Sequence, residues 1–420
     1  MELYEKFKSS TGLTTDSRQI TPGCMFLALR GENFDGNRFA AAALDQGAHY
    51  AVVDDPKIAV GDDRYILVED TLPTLQALST THRLALRELT VIAVAGSNGK
   101  TTTKELLHRV LSRKAPTFAT PGNWNNHIGV PLSLLSLTEE HHFAVIEIGA
   151  NHQRENALLC EIARPDFGLV TNCGKDHLEG FGGVAGVIQA NKEVYDHLRA
   201  VGRPAFVNQD DPVLMEISAG VDRILYGSNT GQITQHFPSI TYQAGPLTVA
   251  THLLGSFQQY NIASAIAVGR EFGVADVDIA AALGSYIPRN NRSQVIDWQG
   301  NRLLLDAYNA NPSSMSAMIA DFRQYPVENK VAVLGDMFEL GEYSHAEHRL
   351  IIEQLRESGI GTVVLVGEEF LRQDSEFHHF ATTAEFKAWL DAQRFSGHYF
   401  LVKGSRGIAL EKAFLDESPH

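Results

Sequence analysis

An α/β protein built of three units is the fold class this sequence predicts, and three observations predict it. Short β-branched runs alternate with helical segments along most of the chain. One such run, Val91-Ile-Ala-Val-Ala95, passes at once into a glycine loop and then a helix, the opening of a parallel α/β domain. After about residue 287 the alternation starts again. The length agrees, because 420 residues correspond to roughly three domains of about 150 residues each.

Taken in order, residues 25–29 and 50–53 read as short strands with a helix, 38–46, between them. A helical stretch over 72–87 leads into strand 91–95, and the helical pattern 101–112 follows its glycines. Strands are predicted at 143–148, 168–171 and 204–208, an irregular antiparallel stretch at 224–252, and a helix of small residues at 260–271. Beyond them, strands at 302–306, 330–334, 362–366 and 399–402 alternate with helices and predict a second doubly wound sheet. The expected domains are residues 1–87, 88–288 and 289–420.

Composition removes several function classes. Fifty acidic against 35 basic side chains leave a formal charge of −15, which repels nucleic acid and anionic membranes. No apolar run is long enough to span a bilayer, and the first residues lack the apolar core of a signal peptide. Cys24, Cys160 and Cys173 show no metal or redox spacing and read as reduced thiols. A cytoplasmic monomer acting on small molecules, without nucleic acid or membrane insertion, is the expectation.

The strongest local signal is Gly96-Ser97-Asn98-Gly99-Lys100-Thr101-Thr102, between a strand and a helix. Backbone N–H groups of such a loop cradle phosphate oxygens, the lysine neutralises the terminal phosphates and the next hydroxyl ligates Mg²⁺. It is the short Gly-x-x-Gly-Lys-Thr form, since Val94 stands where the longer form has its first glycine. Ligands of an open parallel sheet lie beyond the carboxyl ends of its strands. Glu147, ending one strand, and His177, following another, can therefore converge with Thr101 on one metal–triphosphate. Taken alone, a histidine such as His177 is more often an ordinary loop residue. The asparagine-rich segment 122–131, the segment 306–315 with its Asn311-Pro312 step, and the loop 335–341 each read, in isolation, as turn and helix-cap chemistry.

Together these segments resemble the Mur ligase family, ATP-dependent amide-forming enzymes that build the peptide of bacterial peptidoglycan. The resemblance runs over nearly the whole chain. It includes Thr15-Asp16-Ser17-Arg18 and the segment from Gly31 to Asp35-Gly36-Asn37, then the phosphate loop, residues 122–131, Glu147 to Asn151 and His177 to Phe181. Further on come Tyr308-Asn-Ala-Asn-Pro312, Gly335-Asp-Met-Phe-Glu-Leu-Gly341 and Lys403-Gly-Ser-Arg406. The Tyr308 and Gly335 segments resemble the member that adds a dipeptide; the N-terminal segments separate the chain from folylpolyglutamate synthase.

The resemblance implies a small uridine-nucleotide-binding N-terminal domain, a central P-loop ATPase-like parallel sheet and a C-terminal Rossmann-like sheet. It implies that ATP and Mg²⁺ drive the joining of D-alanyl-D-alanine to UDP-N-acetylmuramoyl-tripeptide through an acyl phosphate. Lys100, His177 and Arg292 are the implied catalytic residues. Residues Gly96, Ser97, Asn98, Gly99, Lys100, Thr101 and Thr102, with Asn261, Arg292, Asp306 and Asn309, would bind ATP. Ser17, Arg18, Asp35, Asn123, Asn125 and Asn126 would bind the muramoyl substrate, and Thr101, Glu147 and His177 would hold metal. The chain departs from the family twice. Phe257-Gln258 stand where the family has His-Asn, and Asn191 stands fourteen residues after His177, where the family carries a carbamylated lysine. Lys192, next to it, is expected to be a solvated lysine without a carbamate.

Overall fold

Strand Thr90–Ala95 is flanked on both sides in a six-stranded parallel sheet, in the order Arg223–Tyr226, Ala205–Asn208, Phe167–Val170, Thr90–Ala95, Phe143–Glu147 and Thr117–Ala119. The computed structural model describes residues 2–289 and 291–415. Met1, Asn290 and residues 416–420 of the expected domains lie outside the described residues.

The apolar run of this strand is explained by burial on two faces. Successive side chains alternate across a sheet. Ile92 and Val94 accordingly pack with Leu106, Leu107 and Val110 of helix Lys100–Leu111 and with helix Gln258–Glu271. Val91, Ala93 and Ala95 pack with Leu159, Cys160, Val194 and Leu198 on the other side. The Cys160 thiol is fully enclosed there, and burial pushes its pKa up to about 12.

One expectation is corrected in this sheet. The stretch 224–252 reads as irregular and antiparallel, but its first strand, Arg223–Tyr226, pairs in parallel with Ala205–Asn208. Helix Pro212–Ile217 lies between the two strands and returns the chain in the same direction. Only Gln232–Gln235, Thr241–Ala244 and Leu247–Ala250 form an antiparallel sheet.

The N-terminal sheet runs Leu13–Thr14, Met25–Leu27, Tyr50–Val53, Tyr65–Leu67, all parallel. Helix Thr71–Ala85, capped by the Asp70 carboxylate on Leu72 N, carries the chain away from it and packs on helices Gly129–Leu135 and Glu155–Ala163 of the central unit. The C-terminal sheet has the order Gln294–Trp298, Asn301–Asp306, Tyr399–Lys403, Lys330–Gly335, Thr362–Val366, His378–Phe380. Its first two strands form an antiparallel hairpin through Gln299 and Gly300, both at positive φ, and the others are parallel. The central and C-terminal units share an apolar cluster, in which Leu178, Phe181, Val187 and Leu254 pack with Met315, Met337 and Leu340. Among the described residues no helix is long and apolar enough to cross a membrane.

Candidate active site

The phosphate loop is shaped by two glycines and clamped by the strand beside it. Gly96 has φ +119°, and a Cβ there would lie 2.8 Å from Thr171 N. Gly99 has φ +83°, and its Cβ would lie 2.8 Å from Asn261 Oδ1. Neither position admits a side chain without displacing the wall of the site. Thr171 Oγ1 and Asn172 Nδ2 donate to Asn98 O at 2.7 and 2.9 Å, and Asn98 N donates to Asn172 Oδ1 at 3.1 Å. Ser97 Oγ donates to Asp176 Oδ1 at 2.5 Å and accepts Gly174 N at 2.9 Å. Lys100 Nζ donates to Gly96 O at 2.5 Å and Ser97 O at 3.2 Å, which folds its ammonium over the loop.

The loop opens into a cleft of about 810 Å³ where the central and C-terminal units meet. Ser97, Asn98, Gly99, Lys100, Thr101, Thr102, Asn123, Asn125, Asn126, Glu147, His177, Asn261, Arg292, Asp306 and Asn309 all line it. Gly96 lies behind the loop, against a small cavity it shares with Asp176, Asn156 and Asn191.

Glu147 ends its strand 1% exposed. Its Oε1 accepts Asn125 Nδ2 at 2.9 Å, whereas its buried Oε2 has no hydrogen-bond partner. A carboxylate oxygen that is buried, without a hydrogen-bond partner and beside a phosphate loop suits a hard cation such as Mg²⁺. That ion takes one or two carboxylates and fills its other positions with water and phosphate. Among the described residues no three His, Cys, Asp or Glu side chains gather round one point.

His177 lies at φ +44° and its Nδ1 is 2.8 Å from Glu339 Oε2. The hydrogen bond from His177 holds the Glu339 carboxyl below its ordinary pKa. Glu339 reaches it because the loop 335–341 is fixed from beneath. Asp336 accepts Glu369 N and Phe370 N, both at 2.9 Å, and buried His348 Nε2 accepts Met337 N at 3.0 Å.

In the C-terminal unit Asp306 accepts Lys403 Nζ at 2.5 Å and Ser293 N at 2.8 Å. Arg292 stacks its guanidinium 3.6 Å from the centre of the Tyr308 ring. Asn311 caps helix Pro312–Gln324 through its Oδ1 and donates Nδ2 to Asn98 Oδ1 at 2.8 Å, tying that helix to the phosphate loop. Asn261 receives Thr103 Oγ1 at 3.1 Å and donates to Gln258 Oε1 at 2.7 Å, so its contacts buttress the loop.

The turn-and-cap reading holds for Asn126, whose Oδ1 accepts Ile128 N and Gly129 N at 3.1 and 2.8 Å. Ser17, Arg18 and Asp35 are not brought to the cleft lining. Arg18 pairs with Asp16 at 2.8 Å and draws its carboxyl down to about 2, while Asp35 caps the turn Gly36–Phe39. Asn191 donates to Val187 O at 3.0 Å, and Lys192 Nζ pairs with Asp196 at 2.7 Å, away from the cleft. Sequence reasoning missed Glu339 and Lys403 as site residues, although both line the cleft and lie inside quoted motifs.

Three family models match the chain: "Mur ligase family, catalytic domain" over residues 9–86, "Mur ligase middle domain" over 94–269, and "Mur ligase, glutamate ligase domain" over 291–406. A UDP-N-acetylmuramoyl-tripeptide--D-alanyl-D-alanine ligase of Escherichia coli (strain K12) is 35% identical, over 95% of this chain and 92% of its own length. The crystal structure of MurF from Acinetobacter baumannii superposes with a TM-score of 0.88 at 33% identity, covering 98% of this chain and 96% of that one. MurF ligase from Thermotoga maritima, solved in complex with ADP, gives 0.85 at 28% identity, with 96% of each chain covered. The chain belongs to the Mur ligase family.

Proposed function

We propose that this chain is an ATP-dependent ligase that joins D-alanyl-D-alanine to UDP-N-acetylmuramoyl-tripeptide, a step in making the peptidoglycan precursor. One observation carries the reading. A short phosphate loop, a buried carboxylate with a free oxygen and the Tyr308–Asn311 segment line a single cleft.

A carboxylate does not react with an amine until its oxygen is made a leaving group. The γ-phosphoryl of ATP passes to the tripeptide carboxylate, the dipeptide amine attacks the resulting acyl phosphate, and phosphate departs. The first step brings an anion onto a polyanion, so charge neutralisation and positioning carry it. Lys100 and the loop amides would hold the β- and γ-phosphates. Thr101 and Glu147 would hold Mg²⁺, with His177 at a second ion. When bound, Mg²⁺ supplies charge neutralisation at the transferring phosphoryl. Asn123 and Asn125 would face the muramoyl substrate. Arg292, Asp306 and Asn309 would close over ATP from the C-terminal unit and exclude water from the acyl phosphate. Ser17, Arg18 and Asp35 would bind the uridine nucleotide.

A cytoplasmic monomer is part of the same proposal. Phosphate release by purified protein, supplied with UDP-muramoyl-tripeptide and with or without D-alanyl-D-alanine, tests it. Turnover is expected only with both. Strong turnover with folate and glutamate, or with single amino acids, would sink the assignment.

A further inference from the structure

The largest charged side chain with no exposure is Lys104, and the reaction as described makes no use of it. It lies one turn after Lys100 on helix Lys100–Leu111, so the two side chains sit one above the other. Its Nζ donates to Thr120 O at 2.7 Å and Gly122 O at 3.2 Å, and lies 3.2 Å from Glu105 Oε1. An ammonium has three donors; the two carbonyls take two of them, and Glu105 is an ion-pair neighbour. Glu147 Oε2, at 3.8 Å, is close enough to feel the charge and too far to be bonded. That spacing leaves the oxygen free.

The two carbonyls flank Pro121, whose own carbonyl accepts Trp124 N at 3.1 Å. Lys104 ties the carbonyls on either side of it. From the same turn Thr120 Oγ1 accepts Glu147 N at 2.9 Å, and Asn125, three residues beyond Gly122, donates to Glu147 Oε1 at 2.9 Å. The contacts close a ring from Lys104 through the turn and Asn125 to Glu147 and back.

We propose that Lys104 is a positioning residue that couples the two halves of the cleft. It leaves Glu147 Oε2 unbonded and open to a cation, and through the same ammonium it holds the turn that carries Asn123, Asn125 and Asn126. Cation binding and seating of the muramoyl substrate are then linked. The inference rests on the reading of the cleft given above, and its main test needs no turnover.

Mn²⁺ binding in the presence of ADP, read by electron paramagnetic resonance, should weaken about tenfold in Lys104→Met, while ADP binding without metal stays unchanged. In turnover assays the KM for UDP-muramoyl-tripeptide should rise with it. Thermal unfolding of Lys104→Met, Glu147→Gln and the double variant closes a cycle. The double variant should recover most of the midpoint lost in Lys104→Met, because it removes the unbalanced carboxylate as well. Unchanged Mn²⁺ affinity, or losses that simply add, would overturn the proposal. If Lys104→Met does not fold, a folded double variant supports the coupling and an unfolded one refutes it. Failure of wild-type turnover with D-alanyl-D-alanine would refute the ligase assignment and leave the cycle readable.

Discussion

His177 and Glu339 meet at 2.8 Å across the boundary between the central and C-terminal units, and both hold left-handed backbone, at φ +44° and +64°. Non-glycine residues accept that conformation where surrounding contacts over-determine it, and such places cluster at functional sites. A carboxylate only accepts, so His177 Nδ1 is the donor to Glu339. A partner that fixes the tautomer of a metal-binding histidine is worth roughly tenfold or more in metal affinity.

Replacing Glu339 by Leu should therefore raise the Mg²⁺ concentration for half-maximal turnover by about tenfold. Titrating Mg²⁺ at fixed ATP checks it. An unchanged requirement would place His177 outside the metal site.

Lys100→Ala removes the charge folded over the phosphate loop. Its kcat should fall by about 10² or more, with the thermal midpoint little changed because Lys100 is only half-buried and bonds carbonyls of its own loop. Activity near wild type would reduce the loop to a turn.

Arg292 stands on Tyr308, with Arg406 5.2 Å from the same ring. Arg292→Ala should slow kcat by about 10² and leave binding of the UDP substrate intact, as measured by calorimetry. Equal loss of that binding would move this residue to another site.

Much of this was legible in the sequence where chemistry is local. Gly96 to Thr102 lie on one loop, and Glu147 is placed by the rule that ligands gather at strand ends. What the sequence concealed is pairwise and distant. Lys403 on Asp306, Glu339 on His177 and Lys104 beneath Glu147 join segments whose proximity only the folded sheets create. Short edge strands such as Thr117–Ala119 and His378–Phe380 carry too few residues to show a period. The direction of Arg223–Tyr226 was set by a helix between strands, which its own residues do not encode.

Lys192 gives a negative prediction. It is spent on Asp196, and Asn191 has no amine to modify. Lys192→Ala should retain wild-type turnover, and bicarbonate should not stimulate the enzyme. Rescue of that variant by small carboxylates would show a modified lysine after all.

His82 predicts an acid sensitivity at the first junction. Its Nε2 donates to Leu137 O at 2.9 Å and its Nδ1 accepts Tyr4 OH at 3.2 Å, a pattern that only the neutral ring satisfies. Burial lowers its pKa from the ordinary 6.5. The unfolded chain thus takes up the proton first as pH falls, so the stability it lends is complete above 6.5 and is lost as the pH falls through the lowered folded value. Melting curves below about pH 6.5 should decline more steeply for the wild type than for His82→Gln. Parallel declines would exclude His82 as the cause.

The apolar cluster that Leu178, Phe181 and Val187 build with Met315, Met337 and Leu340 bears on modularity. A fragment cut near residue 290 would turn Met315 and its neighbours out to water, and a sticky face of that kind drives aggregation. The C-terminal unit is therefore no cassette to be moved between proteins without the surface it grew against. Grafting it onto another phosphate-loop domain would require carrying over the side chains of helix Leu178–Phe181 as well.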